Sequence, residues 1–197
     1  MSYELAVIGA SWGGLNALET VLPALPLREL DLAVAVAQHR SIDSQDGALG
    51  ELLSRASGLA VQDADDKEPI VGGRIYLAPP DYHLLVEPGS FALSVDERVQ
   101  YARPSVDVLF ESAADAYGTR LIGIILTGAN ADGAEGLRRI KQRGGVAIVQ
   151  APESAERPEM PSAALAATDV DAVLPLEEIA PYVVELCTRA RTEAARG

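Results

Sequence analysis

Proton-transfer chemistry has few candidates in this chain, which holds two histidines, at 39 and 83, and one cysteine, at 187. Ser11 lies in Gly9-Ala10-Ser11-Trp12-Gly13, the G-x-S-x-G pattern of a nucleophile turn that holds a hydroxyl out at the carboxyl edge of a sheet. His39 ends a second apolar run, and Asp132 follows a third, in Thr127-Gly-Ala-Asn-Ala-Asp-Gly133. Serine, histidine and aspartate together make a hydrolytic triad. A neutral imidazole takes the hydroxyl proton during attack, and the carboxylate fixes the imidazole tautomer and stabilises the imidazolium that forms. The chain order Ser-His-Asp differs from the Ser-Asp-His order of α/β-hydrolases.

Each residue also has a plainer reading. A glycine-rich turn between strand and helix serves dinucleotides, but that use wants G-x-G-x-x-G and an acidic residue ending the second strand. Here Ser11 replaces the middle glycine and Gln38-His39 ends the second strand. Asp132 could cap the helix that follows it. Of the two histidines, His39 sits at the carboxyl end of a buried strand and His83 begins a hairpin arm, so His39 is the preferred base.

The elements that must hold these residues follow from hydrophobic patterning. Leu5–Ile8, Leu30–Ala37 and Leu121–Leu126 are near-continuous apolar runs, as buried parallel strands are. Leu15, Leu18, Val21 and Leu22 have helical spacing, and further helices are expected over 46–57 and 105–117, the second capped by Ser105. Further strands are expected at 74–78, 146–149 and around Val173, with helices carrying Leu137 and Ile140, near Ser162, and from Glu177. His83–Val86 and Phe91–Val95 flank Pro88-Gly89 and read as a β-hairpin. The acidic group Asp63, Asp65, Asp66 and Glu68 reads as a solvated loop, and the polar segment 151–161 as lying outside the core. The fold expected is α/β, a doubly wound, mostly parallel sheet with an inserted β-hairpin. Residues 1–190 form one catalytic domain and 191–197 a frayed tail.

With 29 acidic residues against 16 basic ones, the net charge is −13, which disfavours nucleic acid or an anionic membrane as partner. No apolar run approaches the roughly 20 residues of a membrane span, and no signal peptide is evident, so a cytoplasmic protein without membrane insertion is expected. Cys187 reads as packing; one cysteine excludes an internal disulfide and a multi-cysteine metal site.

Taken jointly, Ile8-Gly-Ala-Ser11 with Gly13-Gly14, Gln38-His39, Ile75-Tyr-Leu-Ala-Pro79 with His83, Arg103-Pro-Ser-Val-Asp-Val-Leu-Phe110, Ile125-Leu-Thr-Gly128 with Asp132-Gly133, and Met160-Pro161 resemble the catalytic domain of the bacterial chemotaxis protein-glutamate methylesterase, the CheB type. The matches run in order over nearly the whole chain. The resemblance implies a serine hydrolase that removes methyl esters from glutamate side chains on the cytoplasmic helices of chemoreceptors and releases methanol; family members also deamidate receptor glutamines. It makes Ser11 the nucleophile, His39 the base and Asp132 its orienter. Backbone N–H groups of Trp12 and Ala129 are the candidate oxyanion hole, with His83, Gly13 and Met160 lining the substrate cleft. No metal or cofactor is implied.

Three departures bear on substrate choice. The family has threonine where this chain has Trp12, methionine where it has Ala129, and glycine where it has Glu159. The family's N-terminal receiver domain has no counterpart before the first strand, so a stand-alone enzyme is expected, constitutively active or controlled by a separate receiver-domain regulator. Two rival readings remain: a serine esterase of the same fold acting outside chemotaxis, and a catalytically weak receptor-binding domain.

Overall fold

In the computed structural model, which describes residues 2–40 and 47–194, the three apolar runs form the middle of a seven-stranded sheet ordered β3-β4-β2-β1-β7-β8-β9. The strands are β1 (Leu5–Ala10), β2 (Ala33–Gln38), β3 (Val61–Asp63), β4 (Ile75–Leu77), β7 (Leu121–Ile125), β8 (Val146–Gln150) and β9 (Ala172–Leu174). Every pairing among them is parallel. The antiparallel component is confined to the separate hairpin β5 (His83–Glu87) and β6 (Ser90–Ser94). Both faces of the sheet are covered, so the central strands carry no polar alternation. Leu5 and Val7 of β1 face one core, and Ala6, Ile8 and Ala10 face the other.

Helices α4 (Val106–Tyr117), α5 (Ala134–Gln142) and α6 (Glu159–Ala167) close the first core through Leu109, Phe110, Leu137, Ile140 and Ala164. Helices α1 (Gly14–Val21), α2 (Leu27–Leu30), α3 (Ala48–Ser57) and α7 (Leu176–Ala194) close the second through Leu18, Val21, Leu30, Leu53, Ile179 and Val183. Each fully buried aliphatic side chain contributes about 1.5–3 kcal/mol relative to exposure. The hairpin is tied to α4, whose Ser112 Oγ accepts the Val86 N–H at 3.0 Å. Cys187 is buried in the second core, where burial pushes its thiol up to about 11.

Three expectations change in detail, and a fourth falls outside the described residues. The acidic loop begins as an edge strand, β3, because Val61, Gln62 and Asp63 continue the ladder beside Ile75, Tyr76 and Leu77. Strand β2 starts at Ala33, since Leu27–Leu30 close a helical turn. Helix α3 is described from Ala48, and position 46, where its start was expected, lies outside the described residues. The tail does not fray at 191: α7 continues through Ala194, and Arg191 Nη1 donates to the Glu29 carbonyl at 2.6 Å. Positions 195–197 lie outside the described residues.

The chain leaves β1 for β2 on one side and later returns to β7 on the other. That reversal opens a crevice at the carboxyl ends of β1, β2 and β7, where ligands bind in sheets of this kind.

Candidate active site

Ser11, His39 and Asp132 each stand just beyond one of those three strands. The sheet's ladders run on to hold the first two: the Ser11 N–H donates to the Thr127 carbonyl and the His39 N–H to the Ala10 carbonyl, both at 3.0 Å. The side chains then form a line. His39 Nδ1 lies 3.1 Å from Ser11 Oγ and His39 Nε2 lies 2.7 Å from Asp132 Oδ2. With the proton on Nε2 donated to the carboxylate, Nδ1 presents its lone pair to the serine hydroxyl, the tautomer a general base needs.

Asp132 is fully buried and saturated. Its Oδ1 accepts from Ser105 Oγ at 2.8 Å and from the Asp107 N–H at 2.9 Å, and its Oδ2 also accepts the Val106 N–H at 2.7 Å. Burial pushes the carboxyl up. The hydrogen bonds from His39 and from the Asp107 and Val106 amides outweigh it and hold the group below the ordinary carboxylate range. It therefore stays ionised at neutral pH. These amides open α4, so the carboxylate also sits on a helix N-terminus, where negative charge is favoured.

Asp107 returns the arrangement. Its Oδ1 accepts the Gly133 and Gly136 N–H groups at 2.9 and 2.7 Å, at the start of α5. Asp132 therefore caps α4 and Asp107 caps α5, each carboxylate seated on the helix that the other's segment begins. Burial pushes Asp107 up to about 6, against its two amide hydrogen bonds and with the nearby Asp132 charge adding to the rise.

The turn that carries Ser11 is built from glycine and from Gln38. Gly13 has φ of +77°, in the left-handed region where glycine carries no steric penalty. Gln38 Nε2 donates to the Ser11 carbonyl at 2.8 Å and to the His39 carbonyl at 3.1 Å. The Ser11 carbonyl and the Trp12 N–H belong to one rigid peptide plane, so this bond also sets where that N–H points. Opposite, the Thr127–Ala129 loop approaches closely: a Cβ on Gly128 would lie 2.9 Å from Ser11 Cβ and 1.9 Å from Met160 Sδ. Among the described residues, the Trp12 and Ala129 N–H groups have no hydrogen-bond partner.

Trp12 stands at the mouth, 59% exposed. Its Nε1 donates to Glu156 Oε1 at 2.9 Å, and the Arg157 guanidinium lies 5.3 Å from the ring centroid. Thr127 ties this segment to the turn, its Oγ1 donating to the Trp12 carbonyl and accepting the Arg157 N–H, both at 2.9 Å. The charged loop around Glu156 is thus a wall of the cleft.

Two expected cleft residues are placed elsewhere. His83 is 1% exposed; its Nε2 donates to the Glu97 carbonyl at 3.1 Å and its Nδ1 accepts the Ser105 N–H at 3.2 Å. Both nitrogens are engaged, Nδ1 with the residue that holds Asp132 and Nε2 with Glu97, so the buried His83 does not line the cleft. Met160 is likewise buried, packed under Gly128. Gly13 stays at the surface beside the Glu156 side chain. The sequence reading missed Asn130, whose Nδ2 lies 3.2 Å from His39 Nδ1 and whose Oδ1 accepts the Asp132 N–H at 3.1 Å. Its place two residues before Asp132, at a strand end, was the available signal.

A family model described as CheB methylesterase matches residues 6–183. The chain belongs to the CheB methylesterase family. A Leptospira interrogans protein, provisionally named protein-glutamate methylesterase/protein-glutamine glutaminase, is 48% identical over 187 residues, covering 94% of this chain and 96% of that one. A protein of Anaeromyxobacter dehalogenans, named protein-glutamate methylesterase/protein-glutamine glutaminase 2, is 42% identical over 183 residues, covering 93% of this chain and 53% of that one. The crystal structure of the Thermotoga maritima CheB methylesterase catalytic domain superposes with a TM-score of 0.88 at 32% identity, covering 94% of this chain and all of that one. The doubly wound sheet with its hairpin is thus the fold of CheB catalytic domains. Among the described residues, no helix is long and apolar enough to cross a membrane.

Proposed function

We propose that this chain is a protein-glutamate methylesterase that acts on the cytoplasmic helices of chemoreceptors, with Ser11 as nucleophile. Ser11 Oγ attacks the γ-carbonyl of a glutamyl methyl ester while its proton passes to His39 Nδ1. The tetrahedral oxyanion takes hydrogen bonds from the N–H groups of Trp12 and Ala129, donors of a kind worth about 2.7–4 kcal/mol each in the transition state. Methoxide leaves with the proton from His39, as methanol. Water, deprotonated by His39, then cleaves the acyl-serine and leaves a glutamate carboxylate. The same attack on a glutamine side chain releases ammonia and gives the same product. Throughout, Asp132 holds the imidazole and carries the counter-charge of the imidazolium.

The observation that supports this reading most is the unbroken line Ser11–His39–Asp132 in a crevice at the topological switch of the family's fold. Methanol release from a methylated receptor segment tests it: turnover is expected for the wild-type chain and none for Ser11→Ala, and a wild-type chain that leaves the methylated segment intact would refute it. A second reading, an esterase acting outside chemotaxis, is favoured by one feature, the pinned Trp12 at the mouth. Rapid cleavage of small esters beside an untouched receptor segment would select it.

A further inference from the structure

Beside the triad lies a pocket of about 230 Å³ that shares His39 and Asn130 with it and is otherwise lined by Arg40, Arg98, Tyr101 and Arg103, among others. In a chain with 16 basic residues and a net charge of −13, three arginines gather at this one place, and no carboxylate is among the described residues that line it. Four carboxylates stand behind the lining, Asp81 on Arg103 and Arg98, Asp63 on Arg40, Asp132 on His39 and Asp107 on Gln100, so what the pocket offers an anion depends on which guanidinium is left accessible and not on a net positive charge.

The three arginines are not equally free. Arg103 is committed: Nε and Nη2 bond Asp81 Oδ1 at 3.1 and 2.7 Å, and Nη1 bonds the carbonyls of Val95 and Asp96. These bonds hold Asp81 below the ordinary carboxylate range, so it stays charged. Arg40, 6% exposed, gives Nη2 to Asp63 and to the Ala78 carbonyl, while its Nε and Nη1 are buried without a partner among the described residues. Among the described residues Arg98 makes a single side-chain bond, at 3.3 Å to Asp81, and its side chain is 46% exposed. Tyr101, 95% exposed, stands at the rim.

We infer that this pocket is a carboxylate-binding subsite, in which Arg98 captures an acidic side chain of the polypeptide substrate next to the ester being cleaved. This rests on the proposed action on a protein glutamate. An arginine presents planar paired donors that match a carboxylate. An accessible guanidinium also lets a strongly acidic enzyme hold an acidic segment once salt has screened the remainder of its surface. Arg98 is then a specificity-determining residue, and Tyr101 offers a flat face for the peptide.

The test is direct binding, read by fluorescence anisotropy of a labelled peptide containing several glutamates and of its glutamine counterpart, at about 0.15 M salt, where charges beyond about 8 Å are screened. The glutamate peptide is expected to bind about tenfold more tightly, with a preference that disappears in Arg98→Glu. Arg138→Glu makes the same change of net charge on α5, away from the pocket, and is expected to keep the preference. Equal affinities for the two peptides in the wild type, a preference that survives Arg98→Glu, or an equal loss in Arg138→Glu would each overturn the subsite. Binding is read without turnover, so failure of the methylesterase reading shows separately, as absent methanol release beside an intact peptide preference.

Discussion

Asp132→Asn is expected to damage both folding and catalysis, because one carboxylate holds His39 and starts α4. Asparagine keeps one acceptor oxygen and puts an NH2 in place of the other. With the NH2 at the Oδ2 position, it faces His39 Nε2 and the Val106 N–H. His39 must then offer a lone pair from Nε2 and carry its proton on Nδ1, towards Ser11, and the Val106 N–H loses its acceptor. With the NH2 at the Oδ1 position, the Asp107 N–H loses its acceptor instead. One buried amide is unpaired either way, at about 1–3 kcal/mol. Loss of negative charge from the α4 N-terminus adds about 0.3–1 kcal/mol, and relief of repulsion with Asp107 offsets part of this. The net expectation is roughly 1–3 kcal/mol lower unfolding free energy in urea, with kcat for methanol release down by about 10⁴ where the wrong tautomer prevails. Ser105→Ala removes one bond to Asp132 and one to the Val108 N–H; it should cost about 1 kcal/mol and far less in kcat. An Asp132→Asn protein of wild-type stability would refute the capping role, and an Asp132→Ala protein within tenfold of wild-type kcat would refute the role of Asp132 in orienting His39.

Other outcomes follow from neighbouring contacts. Gln38→Met removes one bond to the Ser11–Trp12 peptide, which keeps the bond from the Gly14 N–H, and one to the His39 carbonyl, and should lower kcat by about tenfold, below the 10²–10³ of losing an oxyanion donor outright; an unchanged KM with that fall would mark a transition-state effect, and an unchanged kcat would refute it. Gly128→Ala puts a methyl into Met160 Sδ and against Ser11 Cβ. Adding Met160→Ala should recover melting temperature but not turnover, because the clash with Ser11 remains. Asp107 titrates in the fold at about 6, above the ordinary value of about 3.9. Its protonation therefore contributes stability that is fully present below about pH 4 and lost as pH rises through about 6. Wild type should thus gain stability relative to Asp107→Asn as pH falls from 7 to 4, measured by urea unfolding at each pH; a constant difference would refute the raised titration.

The meeting of Ser11, His39 and Asp132 was legible in the sequence because each follows an apolar run, and parallel strands deliver their carboxyl ends to one edge. The network behind it was not legible. The plainer alternative for Asp132 was a cap for the helix after it, whereas it caps α4 and Asp107 caps α5; such an exchange depends on how two helices pack, which no local pattern encodes. His83 was placed in the cleft for its chemistry alone, and only the packing of Ser105 against it reveals a buried prop. Strand β3 was hidden by its acidic neighbours, since an edge strand tolerates polar residues that a central one excludes. Arg40 follows β2 while Arg98 and Arg103 share the connection from β6 to α4, and their meeting is a property of the folded surface.

The most direct test of the proposed chemistry is reaction with a fluorophosphonate followed by mass mapping of the modified peptide, since it probes the nucleophile whatever the substrate. A single adduct on Ser11, lost in His39→Gln, is the predicted result. Folded protein that takes no label at Ser11, or takes it equally well without the His39 imidazole, would contradict an activated serine at this site.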